Sequence, residues 1–388
     1  MKILMISIDK GLLGRGQLGD VLDRHKKYGE HCERLDIIVL SSVGYENYQL
    51  SNKVTAYPTN SKKKWQYYYD AMKIGKELFG RYKYDLIVTQ EPFITGLIGC
   101  QLKKKFGTKL LIHFHGDFWN NPSWLKERSR NRLLLWLSKY TVRCADAVRV
   151  MSEGQKEKIC QQMSSRGSGA TVGIPWSDKI RVISTPVDLS KFKVESEKLK
   201  VEDDKKKVLH VGRDDEVKDF DTLLKVFKLV SEKNNNAKFW QVGADKKLKE
   251  AIGKNNFNNI ELKGKQDQNK LIELYHQCDI VVLSSTSESF GKVLVEANAC
   301  GKPVVSTATT GAREIIRDGY NGFLAPIGDA KMLAEKIVWL LDNPEKAKEM
   351  GENGRQLVQK KYGDNMEKVI QYWRDIVCHP ERSEGSNF

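Results

Sequence analysis

The chain has 388 residues, 40% hydrophobic and 30% charged, with 65 lysines and arginines against 50 acidic residues for a net charge of +15. A globular chain of this length exceeds one core, so two domains of somewhat under about 200 residues each are expected, and the positive balance calls for an anionic partner: nucleotide, acidic lipid surface or nucleic acid. Seven scattered cysteines without a C-x-x-C pair exclude a disulfide framework and a structural zinc site, and no apolar run approaches the ~20 residues that cross a bilayer, which places the protein in the cytoplasm unless its surface binds a membrane.

Met1 to Ile8 reads as a buried strand, and Asp9 and Lys10 end it too early for a signal-peptide core. It runs into a glycine-rich loop opening a helix, in which Gly14, Gly16 and Gly19 satisfy G-x-G-x-x-G. In a dinucleotide site the first glycine follows the strand almost at once and an acidic residue ends the next strand. Here five residues intervene after Ile8, and Asp36 precedes the strand Ile37 to Leu40. An NAD-dependent oxidoreductase is therefore the weaker reading, and a plain tight turn remains open.

Strand and helix signals then alternate: Tyr84 to Thr89 apolar, Gly96 to Phe106 helical, Lys109 to Phe114 apolar again. Such alternation predicts an α/β fold, a parallel sheet covered by helices on both faces, with ligands beyond the carboxyl ends of the strands. One strand ends in His113-Phe114-His115-Gly116-Asp117, where H-x-H could pair two metal ligands on one face; no third ligand is evident.

Residues 124–143 form the most basic amphipathic stretch, with Lys126, Arg128, Arg130, Arg132, Lys139 and Arg143 among tryptophans and leucines. With the basic runs at 61–65 and 102–105, it would give the first half a cationic, tryptophan-bearing surface suited to an anionic membrane. An ordinary sheet-covering helix with a solvated face is the alternative. Ser164 to Asp178 reads as a flexible loop, Arg181 to Ile183 as a strand, and Glu195 to Lys207 as a charged linker, so the domain boundary is expected near 195.

A second alternating domain opens with Val208 to Arg213, and Lys218 follows five residues later. Asp219-Phe220-Asp221 spells D-x-D, a divalent-ion pattern, yet Asp221 stands directly before an apolar-periodic run where a helix N-cap belongs. The cap is the preferred reading. Phe239 to Val242, Ile260 to Leu262 and Ile280 to Leu283 supply further strands. The last passes through a small-residue loop, Ser284 to Ser289, into a helical run ended by Gly301. Free N–H groups and the helix dipole suit that junction to phosphate, with Glu288 in the loop and Glu296 in the helix each within reach of a sugar hydroxyl.

Ser287-Glu288-Ser289-Phe290-Gly291, then Val295-Glu296-Ala297 and Gly301 to Val305, resembles the two-glutamate signature of retaining GT-B-fold glycosyltransferases of family four. The resemblance implies two Rossmann-like domains about an interdomain cleft: 1–194 on the acceptor side, 195–361 binding the nucleotide sugar, 362–378 a helix packing back on the first domain, and 379–388 a disordered tail. It implies catalytic roles for Glu288 beside the transferred sugar and His115 facing it, with Glu296 on the ribose hydroxyls and Arg213 and Lys218 on the diphosphate. Gly14, Gly16, Phe290, Gly291 and Lys292 would line the donor, and Lys265 would meet its base. No metal and no cofactor is implied; the UDP- or GDP-linked sugar is substrate, passed to a saccharide or lipid-linked acceptor, with no nucleic acid involved. A sugar-nucleotide epimerase or sugar phosphorylase on the same frame is the near alternative.

Overall fold

Apolar runs of four to six residues become parallel strands buried on both faces, as their composition requires. The computed structural model describes residues 1–15, 20–164, 176–192, 205–213, 215–243, 246–254 and 257–378. The expected boundary near 195, Gly16 and Gly19, most of the loop after Ser164, and the 379–388 tail lie outside the described residues. The chain divides into two units, Met1–Ser184 with Asn365–Phe388, and Thr185–Asp364.

The first unit holds β1 (Lys2–Ser7), β2 (Arg34–Val39), β3 (Tyr48–Ser51), β4 (Val54–Pro58), β5 (Leu86–Thr89), β6 (Lys109–Phe114), β7 (Ala147–Val150) and β8 (Ile180–Val182). They form one sheet in the order β3-β4-β2-β1-β5-β6-β7-β8, parallel except where β3 meets β4. Strand β2 starts three residues earlier than its apolar run, so Asp36 lies inside it and not before it. Its Oδ2 accepts from Arg34 Nε at 2.5 Å and from the Tyr84 hydroxyl, and the carboxylate is fully buried, out of reach of a ribose.

Two helices, Val21–Glu30 and Asn365–Cys378, cover one face of this sheet. Val369, Ile370 and Trp373 of the second are fully buried with Ile3, Leu35 and Tyr28, and the Tyr28 and Trp373 rings lie 5.0 Å apart. Tyr372 fixes the helix by donating to the Val148 carbonyl at 3.2 Å. Helices Tyr67–Arg81, Ile94–Phe106, Asn131–Cys144 and Glu153–Ser164 cover the other face.

The second unit contains β9 (Lys206–Val211), β10 (Ala237–Val242), β11 (Ile260–Gly264), β12 (Ile280–Leu283), β13 (Val304–Thr307) and β14 (Gly322–Ala325). All pair in parallel, in the order β11-β10-β9-β12-β13-β14. Both units are thus doubly wound and Rossmann-like. The direction of winding reverses between β1 and β5 in one and between β9 and β12 in the other, and the strand ends at such a reversal are where sheets of this kind bind ligands.

Candidate active site at the reversal of the second sheet

Strands β9 and β12 are neighbours, so the segments leaving their carboxyl ends meet. After β9 come Gly212, the exposed Arg213 and a short 3-10 turn, Glu216–Lys218. After β12 comes the loop 284–291. Thr286 N donates to the Val217 carbonyl at 2.8 Å, and Ser284 Oγ to the Lys218 carbonyl at 2.8 Å. The two segments are therefore stitched together, and Lys218 Nζ forms an ion pair with Glu288 Oε1. Ser285 Oγ donates to the same oxygen at 3.2 Å, and Gly311 N holds the Glu288 carbonyl at 2.7 Å. Two residues 70 positions apart become one cation–carboxylate unit, most of it out of water.

Asp219, and not Asp221, caps the following helix, Phe220–Lys233. It adopts φ 46° and accepts from Thr222 N at 3.1 Å, whereas Asp221 is exposed in the first turn. The cap falls at Asp219, two residues before the expected Asp221, because a left-handed residue ends the preceding turn ahead of the apolar period. His210, fully buried against Phe220, has no hydrogen-bond partner on either ring nitrogen, and burial with Lys218 nearby lowers its pKa to about 3. The ring is neutral at pH 7.

Loop 284–291 ends at Gly291, whose φ of +83° a side chain would strain. It is the N-cap of helix Lys292–Ala299 and no side chain caps that end; Leu294 N turns back to the Gly291 carbonyl at 2.9 Å, and the positive end of the helix dipole is what favours an anion there. Phe290 is buried against Tyr362, with ring centroids 5.4 Å apart. One turn into the helix, Lys292 Nζ lies 3.3 Å from Glu296 Oε1, and the Tyr275 hydroxyl donates to Glu296 Oε2 at 2.9 Å. Burial and the Glu296 charge push the Tyr275 pKa well up, which keeps it a donor. Tyr275 and Ser285 are the contributors that sequence reasoning missed.

The other expected positions lie apart from this cluster. Lys265 is exposed past β11, an edge strand three places from β12 with β10 and β9 between them, and it forms no hydrogen bond or ion pair with another described residue. Arg213 likewise makes no side-chain bond to another described residue, although it leaves β9 beside Lys218. In the first unit, Gly14 ends a 3-10 turn capped by Asp9; at φ +73°, a Cβ there would come within 2.5 Å of the Tyr48 ring. His115 stands just past β6 with part of its surface exposed, its ring 5.5 Å from buried His113; desolvation of the rings first, and the Arg149 charge behind them second, disfavour a charged imidazole at both. Arg149 is itself buried and donates to the carbonyls of Ile183 and Ser184 at 2.7 and 2.8 Å. Among the described residues no three His, Cys, Asp or Glu side chains converge as a metal-holding group.

Two family models match the chain: Glycosyltransferase Family 4 over residues 34–191 and Glycosyl transferases group 1 over residues 191–357. An uncharacterised glycosyltransferase of Methanocaldococcus jannaschii is 28% identical over 93% of this chain and 94% of its own length. The capsular polysaccharide biosynthesis glycosyltransferase CapM of Staphylococcus aureus is 27% identical over 60% of this chain and 62% of its own. Among solved structures, sucrose-phosphate synthase from Thermosynechococcus elongatus superposes with a TM-score of 0.83 at 20% identity, covering 97% of this chain and 100% of that one. HepE from Anabaena, solved in complex with UDP and glucose, gives 0.74 at 20% identity with the same coverage.

Proposed function

Because the chain belongs to the group 1 glycosyl transferases, of family four and GT-B fold, we propose that it moves a sugar from a UDP- or GDP-linked donor to a saccharide or lipid-linked acceptor, with retention of anomeric configuration. The observation that carries this reading is the Lys218–Glu288 pair at the reversal of the second sheet, beside the uncapped helix end at Gly291. Transfer breaks the bond between the anomeric carbon and the β-phosphate oxygen, and the electron pair leaves with the diphosphate. Fixed cations stabilise that growing charge. Lys218 is already aimed by Glu288, and exposed Arg213 is the second cation free to close on phosphate. These two supply the charge that a metal ion would otherwise bring, so no metal is assigned.

A doubly charged diphosphate competes with one carboxylate for Lys218. Its arrival would loosen Glu288 toward a hydroxyl of the transferred sugar, while Glu296, held by Tyr275 and Lys292, would keep its orientation for the ribose. The acceptor oxygen then takes the anomeric carbon, and its proton passes to the leaving phosphate. His115 is the first unit's candidate for the reaction. UDP is the first nucleotide to try, since HepE was solved with it.

The experiment is a thermal-unfolding panel with UDP, GDP, ADP and NAD, with and without EDTA. A nucleoside diphosphate at about a hundred times its Kd should add ~2.7 kcal/mol of stability, unchanged by chelation. No stabilisation by any of the three, or a larger effect from NAD, would sink the reading.

A further inference from the structure

Helix Asn131–Cys144 is inside out. Its buried residues are Asn131, Ser138, Thr141 and Val142, three of them polar, whereas Leu133 and Trp136 are 66% and 65% exposed. The buried polar groups are satisfied: Ser138 accepts from Trp119 Nε1 at 2.9 Å, Thr141 donates to the Pro92 carbonyl, and Asn131 to the Trp124 carbonyl at 2.7 Å. The inversion is thus built in, and it leaves two large apolar side chains on the outside.

A second pair, Trp65 and Tyr69, is 64% and 63% exposed at the start of helix Tyr67–Arg81. Helices Tyr67–Arg81 and Asn131–Cys144 flank Ile94–Phe106 on one face of the first sheet. Each of these helices begins near the carboxyl end of the parallel strand before it, so both pairs sit along one rim. Phe93, stacked on Trp124 at 5.8 Å, lies on that rim between them. The cations accompany the apolar groups. Lys62, Lys63, Lys64, Lys126, Arg128, Arg130 and Arg132 are exposed and form no ion pair with another described residue, and Glu127 is the one acid in 122–144.

We propose that this rim docks the first unit on an anionic lipid bilayer, with Trp65, Tyr69, Leu133 and Trp136 entering the headgroup boundary and the flanking cations meeting lipid phosphates. Tryptophan and tyrosine favour that boundary, and lysine and arginine beside it gain from the surface potential. The 102–105 run does not take part: Lys103 is committed to Asp146 at 2.7 Å and to the Cys144 carbonyl, and the run ends its helix at the opposite edge of the sheet. No helix among the described residues is long and apolar enough to cross a membrane, so attachment is peripheral. Since His115 leaves β6 at this same rim, a lipid-borne hydroxyl would arrive where the first unit offers its exposed histidine. The docking stands independently of the donor reading.

The test is co-sedimentation of the full chain with vesicles of phosphatidylcholine alone or with about one-third phosphatidylglycerol, read without any nucleotide. Binding is expected to the anionic vesicles only, to fall about fivefold for each cation removed in the Arg128→Gln, Arg130→Gln and Arg132→Gln series, and to drop at least about tenfold in the Trp65→Ala, Trp136→Ala double variant. All five side chains are exposed, and an unchanged melting temperature verifies folding. No binding to anionic vesicles, full binding by the double variant, or retention on RNA with none on vesicles would overturn the proposal.

Discussion

Tyr275 and Lys218 divide the work of the candidate site. Tyr275 donates to a carboxylate buried to 5% exposure, so Tyr275→Phe leaves Glu296 Oε2 short of its partner, at a cost of about 1–3 kcal/mol of stability. If Glu296 grips the ribose, that variant should raise the donor KM more than it lowers kcat. An equal fall in both would place Tyr275 outside donor binding. Lys218→Ala and Arg213→Ala should each lower kcat/KM by more than about tenfold, since a charge-assisted contact contributes about 1.5–3 kcal/mol; wild-type turnover in both would discard their diphosphate role. At this scale the sequence was half legible. Glu288 and Glu296 stand in a strand–loop–helix context that chemistry singles out. Tyr275 lies 21 positions before Glu296 on another helix, and no spacing rule joins the two.

The Asp219 cap and the inverted helix show where element-level reading stops. Strand–helix alternation gave the two doubly wound sheets, because parallel strands buried on both faces are written as continuous apolar runs. Cap position depends on one backbone conformation, and Asp219 at φ 46° is invisible in periodicity. Replacement by Asn keeps the side-chain acceptor and removes the charge, so stability and activity should stay near wild type, whereas Asp219→Ala should cost about 1 kcal/mol of unfolding free energy. Loss of activity in the Asn variant, restored by added divalent cation, would instead return D-x-D to a metal role. In Asn131–Cys144 the leucine-rich stripe reads as the buried face, yet the sheet side takes Ser138 and Thr141 because Trp119 and the Pro92 carbonyl wait there to bond them. Such partners lie beyond any window of sequence.

Across the whole molecule, both units carry buried neutral histidines: His25 with its pKa lowered to about 4 by burial and Arg24, His210 lowered to about 3, and His113 well below its usual value. The unfolded chain takes up protons near pH 6.5 and the folded protein does not until those lower values. Their stability is therefore complete above pH 6.5 and drains as pH falls, by up to ~1.4 kcal/mol per pH unit for each ring. Melting temperature should drop from pH 7 to pH 5, and His210→Leu should flatten part of that decline; a flat profile in the wild type would contradict buried neutral rings. Two helix-covered parallel sheets followed from strand–helix alternation, whereas the strand order and these buried histidines became informative only once their surroundings were known.

The helix Asn365–Cys378 belongs to the first unit although the entire second unit precedes it in the chain. On the ribosome, the seat for Val369, Ile370 and Trp373 is made first and filled last, so the nascent protein carries bare apolar surface while some 180 residues are still being added. A premature stop near residue 364 would consequently spare the half just synthesised and cripple the half begun at Met1.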